Sequence, residues 1–442
     1  MVGLTGAAGD VPGDLGDVPG DLGTVPGDLG TVPGEDGATS SGDEGPPISF
    51  DDIGGWPAVL GRLLAGDELR PDEAEVVLGQ ILIGAATSAQ IAAFVIALRA
   101  KGETVGEMTG LVRAMLRHAT PLPVDGELLD TCGTGGDRSA SINASTIAAL
   151  VVAGAGVTVC KHGGRAATSA AGSADVLEAL GVVIDLGPTG VARCVAETGM
   201  GFCFAPRYHP AMRHAVPVRR ELGIPTVFNY LGPLANPARA RLQVVGVSDW
   251  TMAPKMLGVL AANGARRAMV VHGASGLDEL STTGPSQMLW FDANEAEDGG
   301  LPAGAGHPGL PAGAREMGLP AGAREMGLPA GAHQMGLPVG AREMVVDPTE
   351  LGLAPATVED LRGGDAAANA AVVRRVLGGE RGARRDFVLI NAAAGLLVAG
   401  KVGDLGAGVA AAAESIDTGS ARRVLDQLVE VSRRASEEER PR

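Results

Sequence analysis

The sequence of 442 residues has few aromatic residues and few cysteines. Aromatic side chains make up 3 % of the chain and hydrophobic residues 45 %, so we expect a core built from Ala, Val, Leu and Ile. The four cysteines are Cys132, Cys160, Cys194 and Cys203, and they show no CxxC spacing. This usage argues against a disulfide framework in a chain of this length.

Long apolar runs and excess positive charge are also missing. The chain has no stretch of about 18 uninterrupted apolar residues that would span a bilayer, and its beginning lacks the basic and apolar regions of a signal peptide. Lys and Arg total 35 against 52 Asp and Glu, a net charge of −17, which disfavours a general nucleic-acid binder. We therefore expect a cytoplasmic protein with neither a membrane nor a nucleic-acid partner.

Two repetitive tracts account for much of the unusual composition. Residues 1–50 carry nine acids and no Lys or Arg, and contain VPGDLGD or VPGDLGT units, so we predict a disordered acidic tail over residues 1–48. Nine-residue units such as GLPAGAREM follow from Gly300 onwards. We predict a low-complexity loop insert at about 297–344, within a surface hairpin whose strands include 288–292 and 344–346.

The segment after the tail has a helical, amphipathic pattern up to about residue 120. Pro71 occupies a first-turn position, Ser88 is a candidate N-cap for a helix over 89–99, and Thr104 with Glu107 forms a capping box for a helix that ends near His118. We predict a small helical domain over residues 49–120.

The pattern changes after residue 121. Short apolar runs at 150–153, 157–160, 182–184, 243–247 and 269–271 alternate with Ala-rich helical stretches. Helical patterns then cover 366–377, 385–399, 409–414 and 421–435. Alternation of strand and helix predicts an α/β fold: a small all-helical N-terminal domain plus a larger α/β domain, residues 121–442, with a mainly parallel central sheet flanked by helices.

A glycine-rich loop follows the strand-like run 128–132. Its sequence is Gly133-Thr134-Gly135-Gly136-Asp137, and Ser141, Asn143, Ser145 and Thr146 then open a helix predicted to begin near Ile147. Backbone N–H groups of such a loop and of a helix N-terminus favour phosphate binding. A simple glycine turn followed by a helix cap is the alternative.

Positive charge lies next to this loop in the sequence KHGGR. Lys161 and Arg165 suit a polyanionic ligand, whereas His162 by itself is more often a structural histidine. Further on, Arg219 has the fork that binds a carboxylate, although a surface arginine is the alternative. Asp278 and Glu279 follow an apolar run and suit Mg²⁺, although an Asp-Glu pair is usually a polar loop.

Taken together, these segments resemble those of the anthranilate phosphoribosyltransferases of tryptophan biosynthesis. The resemblance rests on GTGGD, the N-x-S-T helix opening, KHG, GSADVLEALGV, FNYLGPLANP and GLDE, and covers about residues 50–435 without the insert. It implies a helical domain that also includes about residues 209–223, a larger α/β domain, and a homodimer formed through the helical domain.

The implied reaction transfers the phosphoribosyl group of phosphoribosyl pyrophosphate to the amine of anthranilate, giving N-(5-phosphoribosyl)anthranilate and pyrophosphate. The cofactor would be Mg²⁺, with two ions, and no protein side chain would act as acid or base. By resemblance the phosphoribosyl pyrophosphate site comprises Gly133, Gly136, Asp137, Ser141, Asn143, Ala144, Ser145, Thr146, Lys161, Ser169 and Ser173. The anthranilate site comprises Gly133, Gly164 and Arg219, and the metal ligands are Ser145, Asp278 and Glu279.

Two positions depart from the family pattern. Gly164 stands where the family has an Asn, which removes an amide and widens the pocket, and Ser275 replaces an Asp. A changed acceptor is therefore an alternative, either a modified aromatic amine or, in a same-fold nucleoside phosphorylase, a nucleobase. A non-catalytic relative that binds nucleic acid would need a basic face, which the net charge does not support.

Overall fold

The computed structural model describes residues 48–137, 139–166, 170–297, 323–325 and 337–440. The predicted tail up to residue 47 and most of the predicted insert lie outside this part of the chain. Within it, no helix has the length and apolar composition needed to cross a membrane.

Four helices form the first part of the fold. They are α1 (Gly55–Ala65), α2 (Pro71–Leu82), α3 (Ser88–Lys101) and α4 (Val105–Arg117). The Thr104–Glu107 capping box is present at α4, as predicted. The prediction for α3 is wrong by one residue, because Thr87 rather than Ser88 is the N-cap and accepts the Gln90 N–H at 3.2 Å.

The second part alternates strands and helices. The strands are β1 (Leu129–Gly133), β2 (Val159–Gly163), β3 (Met200–Phe204), β4 (Leu242–Gly246), β5 (Arg267–His272), β6 (Ser286–Asp292), β7 (Ala323–Glu325) and β8 (Arg342–Val346). The helices are α5 (Ala144–Gly154), α6 (Ser173–Leu180), α7 (Pro188–Thr198), α8 (Ala205–Tyr208), α9 (Val216–Leu222), α10 (Phe228–Leu234), α11 (Ala253–Ala262), α12 (Ala293–Glu297), α13 (Ala366–Leu377), α14 (Ala383–Val398), α15 (Leu405–Asp417) and α16 (Ser420–Glu439).

The described strands form one mixed sheet in the order β3-β2-β1-β4-β5-β6-β8-β7. The first five pair in parallel and the last three are antiparallel, so the predicted mainly parallel sheet is confirmed. The chain runs from β1 outward to β2 and β3, then returns to β4 on the other side of β1. Such a reversal of strand order opens a crevice at the carboxyl ends of the central strands, where ligands bind in α/β proteins.

Alternate side chains of the sheet enter two different cores. Val244 and Val271 pack into a core shared with helices such as α5 and α14, while Val245 and Val270 pack into a core shared with the helical bundle, α10 and α11. This follows from the two-residue period of a strand. Both faces of the central strands are therefore covered, as in parallel sheets generally.

Two of the short apolar runs predicted as strands are not strands. Residues 150–153 lie within α5, which begins at Ala144 rather than near Ile147. Residues 182–184 form an irregular segment between α6 and α7. Periodicity cannot separate a short buried helix segment from a buried strand, because both are uniformly apolar. The same ambiguity hid β3, which the sequence did not predict.

The segment over residues 209–223 packs on the helical bundle. A 3-10 helix (Pro210–His214) contacts α2, and α9 contacts α3, with Ala215 and Val218 buried in the bundle core. The predicted fold class, a small helical domain followed by a larger α/β domain, is confirmed, while the predicted domain boundaries stay a prediction. Within the predicted insert, β7 pairs antiparallel with β8 at the sheet edge.

Candidate functional site

The glycine-rich loop leaves the sheet at the end of β1, next to the crevice. Gly135 and Gly136 have φ of 68° and 84°, a conformation that glycine adopts without strain. The Gly135 N–H donates to Asp278 Oδ2 at 2.7 Å, and the Ser248 hydroxyl donates to the Gly135 carbonyl at 3.1 Å. The loop is thus held from two sides by segments distant in sequence.

Two other glycines allow Asp278 to approach the sheet. A Cβ at Gly133 would collide with the Asp278 carboxylate, and a Cβ at Gly246 would collide with the Asp278 carbonyl oxygen. The ends of β1 and β4 therefore accept the segment after β5 only because both positions are glycine.

Three carboxylates gather at this point. One oxygen from each of Asp137, Asp278 and Glu279 lies within 4.8 Å of the other two. Burial and then the neighbouring Asp137 charge raise the pKa of Asp278 to about 6, and burial and then Asp278 raise the pKa of Glu279 well above its usual value. The Glu279 Oε2 atom is buried without a hydrogen-bond partner among the described residues. Mutual repulsion and missing partners are relieved by a bound cation, so this group fits a hard divalent ion such as Mg²⁺.

Ser145 lies beside the carboxylates. The residues that line a small cavity include Thr131, Ser145, Asp278 and Glu279. Ser145 is the second residue of α5, so its hydroxyl stands at the helix N-terminus, where partial positive charge favours anions. The structure therefore brings three predicted metal ligands, Ser145, Asp278 and Glu279, around one space and adds Asp137, which the sequence assigned to phosphoribosyl pyrophosphate.

Lys161 reaches the same place from β2. Its side chain is 2 % exposed, and its ammonium group donates to the Thr131 carbonyl and to Ser145 Oγ, the latter at 3.3 Å. Near the N-terminus of α5, Asn143 Oδ1 and Thr146 Oγ1 are buried without partners among the described residues. The Lys161 ammonium group and the Thr146 hydroxyl can donate to a phosphate oxygen, whereas Asn143 Oδ1 can only accept and suits a hydroxyl group of a ligand.

The other residues predicted to bind phosphate have fewer direct contacts with this cluster of residues. The Ser173 hydroxyl lies 3.5 Å from the Gly164 carbonyl, and the Ser141 N–H donates to Ser139 Oγ at 3.1 Å. Ser139 in turn donates to Asp137. Ser169 lies outside the described residues.

The positive charge of Arg165 is already balanced. Its guanidinium pairs with Asp175 and with Glu178, each at 2.8 Å, and hydrogen bonds to Glu178 and then Asp175 raise its pKa. The expectation that Arg165 adds free positive charge beside the glycine-rich loop is therefore not met.

Arg219 presents the opposite situation. It lies on α9 with its guanidinium 5.5 Å from the centre of the Phe228 ring, and within the described part of the chain it has no carboxylate partner. Burial lowers its pKa, which means that its charge is partly desolvated. A half-buried, unpaired guanidinium beside an aromatic ring suits the carboxylate of an aromatic acid.

Gly164 leaves open space at the end of β2. Among the described residues, a Cβ at this position would meet only the Ala205 Cβ, at 3.9 Å, which is an ordinary contact. A side chain is therefore sterically allowed there.

His162 has a structural environment. Its Nδ1 lies 3.2 Å from the Gly232 carbonyl, and burial, then the nearby His209, lowers its pKa to about 3. A histidine that stays neutral at physiological pH is a poor phosphate ligand, which favours the structural interpretation.

The sequence did not single out Asp130, Asn236 or Ser248. Ser248 lies in no motif that the sequence analysis identified. Asp130 is polar, so the sequence does not indicate that it is fully buried, at 0 % exposure. Asn236 was part of a quoted motif but had no assigned role. Their neighbours come from distant parts of the chain, so no local signal identifies them.

A glycine-rich loop, a helix N-terminus and three clustered carboxylates that meet at the crevice of a parallel sheet suit a phosphorylated ligand bound together with a divalent cation. Residues 125–302 and 321–422 match the glycosyl transferase family a/b domain, and residues 57–119 match its helical bundle domain. The fold and site thus define a glycosyl transferase of this two-part class.

The relatives narrow the class further. The chain is 48 % identical over 386 residues to the anthranilate phosphoribosyltransferase of Salinispora arenicola (85 % of this chain, 96 % of the relative). It is 48 % identical over 384 residues to that of Nocardioides sp. (86 % and 99 %). The chain belongs to the anthranilate phosphoribosyltransferase family.

Solved structures of this family have the same fold as the chain. The anthranilate phosphoribosyltransferase of Thermus thermophilus superposes with a TM-score of 0.71 at 38 % identity, covering 85 % of this chain and 99 % of that one. The Saccharomyces cerevisiae enzyme, solved in complex with PRPP and Mg, superposes with a TM-score of 0.69 at 25 % identity, covering 86 % and 98 %.

Proposed function

We propose that this chain is an enzyme that transfers the phosphoribosyl group of phosphoribosyl pyrophosphate to the amine of anthranilate in tryptophan biosynthesis. The observation that carries this proposal is the meeting of Asp137, Asp278 and Glu279 with the glycine-rich loop and the N-terminus of α5 at one crevice. Relatives at 48 % identity that bear this activity support it.

The pyrophosphate end of the donor is expected at the cluster of three carboxylates formed by Asp137, Asp278 and Glu279. We propose that Ser145, Asp137, Asp278 and Glu279 hold magnesium there, with two ions. Bound magnesium neutralises the charge that develops on the departing pyrophosphate. The glycine-rich loop and α5 contribute N–H groups of fixed orientation, which stabilise the same charge without reorganisation.

We propose that the donor contacts further residues by side chain or backbone, namely Gly133, Gly136, Asp137, Ser141, Asn143, Ala144, Ser145, Thr146, Lys161, Ser169 and Ser173. Lys161 contributes a buried ammonium group and Thr146 a hydroxyl that can donate to phosphate oxygens, while Asn143 Oδ1 can accept a ribose hydroxyl. A donor held by these groups presents its ribose carbon to the acceptor in a restricted geometry, which lowers the entropic cost of reaction.

The acceptor is expected between Gly133, Gly164 and Arg219. The Arg219 guanidinium would pair with the anthranilate carboxylate, leaving the amine free to attack the ribose carbon. An aromatic amine is nucleophilic without a strong base, so no acid or base residue is assigned. The bond from ribose to pyrophosphate breaks, the carbon–nitrogen bond forms, and the amine proton passes to solvent.

The test follows anthranilate fluorescence after addition of phosphoribosyl pyrophosphate, with and without Mg²⁺. We expect fluorescence to fall only when both are present. An unchanged signal at millimolar anthranilate, with donor and metal in excess, would exclude the proposed acceptor.

The open space at Gly164 favours a second candidate, a modified aromatic amine or another acceptor. A screen of substituted anthranilates and nucleobases against the same donor distinguishes the two. Anthranilate should give the highest kcat/KM, and a larger value for any other compound would reassign the acceptor.

We also propose a homodimer formed through the helical bundle. The proposal follows the family resemblance; Leu64 and Ile83 on this part of the molecule are 77 % and 60 % exposed, so apolar side chains are accessible there. A cytoplasmic location agrees with the four free cysteines. Sedimentation of the purified chain tests the dimer.

A further inference from the structure

The pairing between β1 and β2, the two strands that lead into the proposed phosphate site, covers a single residue pair. β1 pairs with β4 through five residue pairs, from Leu129 with Leu242 to Gly133 with Gly246. Its pairing with β2 is restricted to Leu129 and Val159. Beyond that pair, the facing backbone groups of β1 and β2 need other partners, because unpaired polar groups are costly in a buried sheet.

Side chains supply those partners. Asp130 Oδ1 accepts the backbone N–H of His162 at 3.1 Å, and Asn236 Nδ2 donates to the Cys160 carbonyl at 2.8 Å. From the other direction, the Lys161 ammonium group donates to the Thr131 carbonyl. The backbone groups immediately before and after Lys161 are therefore held by Asn236 and Asp130.

Asp130 and Asn236 also bind each other. Asn236 Nδ2 donates to Asp130 Oδ2 at 2.8 Å, and Asn236 Oδ1 accepts the Ala238 N–H at 2.8 Å. Asp130 is 0 % exposed and Asn236 is 2 % exposed. Each amide and carboxylate oxygen or nitrogen of the pair is thus used, and the pair connects β1, β2 and the segment after α10.

Asp130 also interacts electrostatically with Lys161. Burial raises the pKa of Asp130, and the attraction of the Lys161 ammonium group is the largest opposing influence. A buried carboxylate and a buried ammonium group each need the other, because neither is solvated by water. Removing the negative charge would take away a buried counter-charge of Lys161.

We propose that Asp130 and Asn236 are positioning residues for the donor: they replace strand pairing between β1 and β2 and thereby fix the direction of Lys161 toward the phosphate site. Neither residue is assigned to contact a substrate. This inference rests on the proposed function, since it concerns the site assigned to phosphoribosyl pyrophosphate. It also gives a role to the end of the FNYLGPLANP segment, which the reaction itself did not explain.

Asp130→Asn tests the inference with little change in shape. An amide has one acceptor and one donor group, so it cannot accept both the His162 N–H and the Asn236 NH₂. We expect KM for phosphoribosyl pyrophosphate to rise about tenfold, in line with loss of a hydrogen bond to a buried charged group. KM for anthranilate should stay within about twofold, because Arg219 lies on a different element.

Thr198→Val is the matched control. Thr198 is also buried, and its hydroxyl bonds to the Cys194 and Met200 backbones at the opposite end of the sheet. This variant should lower Tm without changing either KM. A purely structural role for Asp130 would give the same result as this control.

Wild-type turnover is measured first, so that failure of the proposed function is recognised separately. With an active wild type, unchanged KM for the donor in Asp130→Asn, or an equal rise in both KM values, overturns the inference. Should Asp130→Asn not fold, Asn236→Ser decides: it keeps the Asp130 and Lys161 charges and removes the two amide donations. We then expect a rise of about threefold in KM for the donor alone, and no rise overturns the inference.

Discussion

Two groups of acidic residues near the proposed site differ in how their charge is balanced. Asp175 and Glu178 share the guanidinium of Arg165, and the hydrogen bond from Arg165 lowers the pKa of Glu178. Asp137, Asp278 and Glu279 form no ion pair within the described part of the chain, and the pKa values of Asp278 and Glu279 are raised.

The arginines show the same contrast. Arg165 is paired twice, whereas Arg219 has only an aromatic ring beside it in the described part of the chain. A charge already balanced within the fold contributes to structure, and a desolvated charge without a partner marks a candidate ligand site. The contrast separates residues of the same type into structural and functional ones.

The largest expected effect on kcat/KM comes from removing the negative charge of an unpaired carboxylate. Glu279→Gln and Asp278→Asn should each lower kcat/KM by about a hundredfold or more, because bound metal supplies several kcal/mol of charge stabilisation. Glu178→Gln, the matched change in the balanced group, should alter it by less than about threefold. Steady-state kinetics at saturating Mg²⁺ give both values, and similar losses in the two groups would refute the distinction.

The second largest effect is expected from the two arginines, whose removal should change KM for anthranilate to different extents. Arg219→Ala should raise KM for anthranilate by about thirtyfold, since truncating one partner of a desolvated charge pair costs at least about 2 kcal/mol. Arg165→Ala should raise it by no more than about threefold, because its partners are protein carboxylates near the surface. Acceptor titrations at fixed donor concentration compare the two variants, and equal KM values would count against the proposed acceptor site.

A smaller effect concerns pH and metal. The pKa of Asp278 is raised to about 6 in the folded metal-free protein, above its usual value of 3.8. The stability that this group contributes is therefore complete below pH 3.8 and is lost as the pH rises through about 6. Mg²⁺ binds the ionised form, so it should raise Tm by a few degrees more at about pH 8 than at about pH 5.5. Thermal unfolding with and without Mg²⁺ measures this, and an equal shift at both pH values would contradict it.

The smallest expected effect comes from Gly164→Asn. The position accepts a Cβ without a clash, so the variant should fold normally. We expect KM for anthranilate to fall by about threefold, the value of one added hydrogen bond, while substituted anthranilates lose more through the narrower pocket. Acceptor competition assays test this, and an unchanged preference would show that Gly164 does not border the acceptor.

Much of the fold was predictable because local signals agree with it. Thr104 and Glu107 mark the start of α4, Pro71 marks the start of α2, and the alternation of strands and helices indicates the parallel sheet. The wrong strand predictions at residues 150–153 and 182–184 share one cause. Short uniformly apolar segments have no periodicity, so only their packing against neighbours decides their conformation.

The sequence predicted which residues form the site better than it predicted how their charges are balanced. Ser145, Asp278 and Glu279 were expected together, and the structure brings them to one cavity. Asp137 was expected at the donor, and its place among the carboxylates became visible only when β1 and β5 lay in the same sheet. The balance of Arg165 by Asp175 and Glu178 was likewise not visible in the sequence.

The sequence by itself determined the starts of α2 and α4, the glycine turn at Gly135 and Gly136 and the family resemblance, because each depends on residues close together in the chain. Only the tertiary structure decided which charges are balanced and that Asp130 and Asn236, 106 positions apart, bind each other between β1 and β2. The physical reason is that Coulomb and desolvation energies depend on distance in space and on exclusion of water. Both are set by residues remote in the chain.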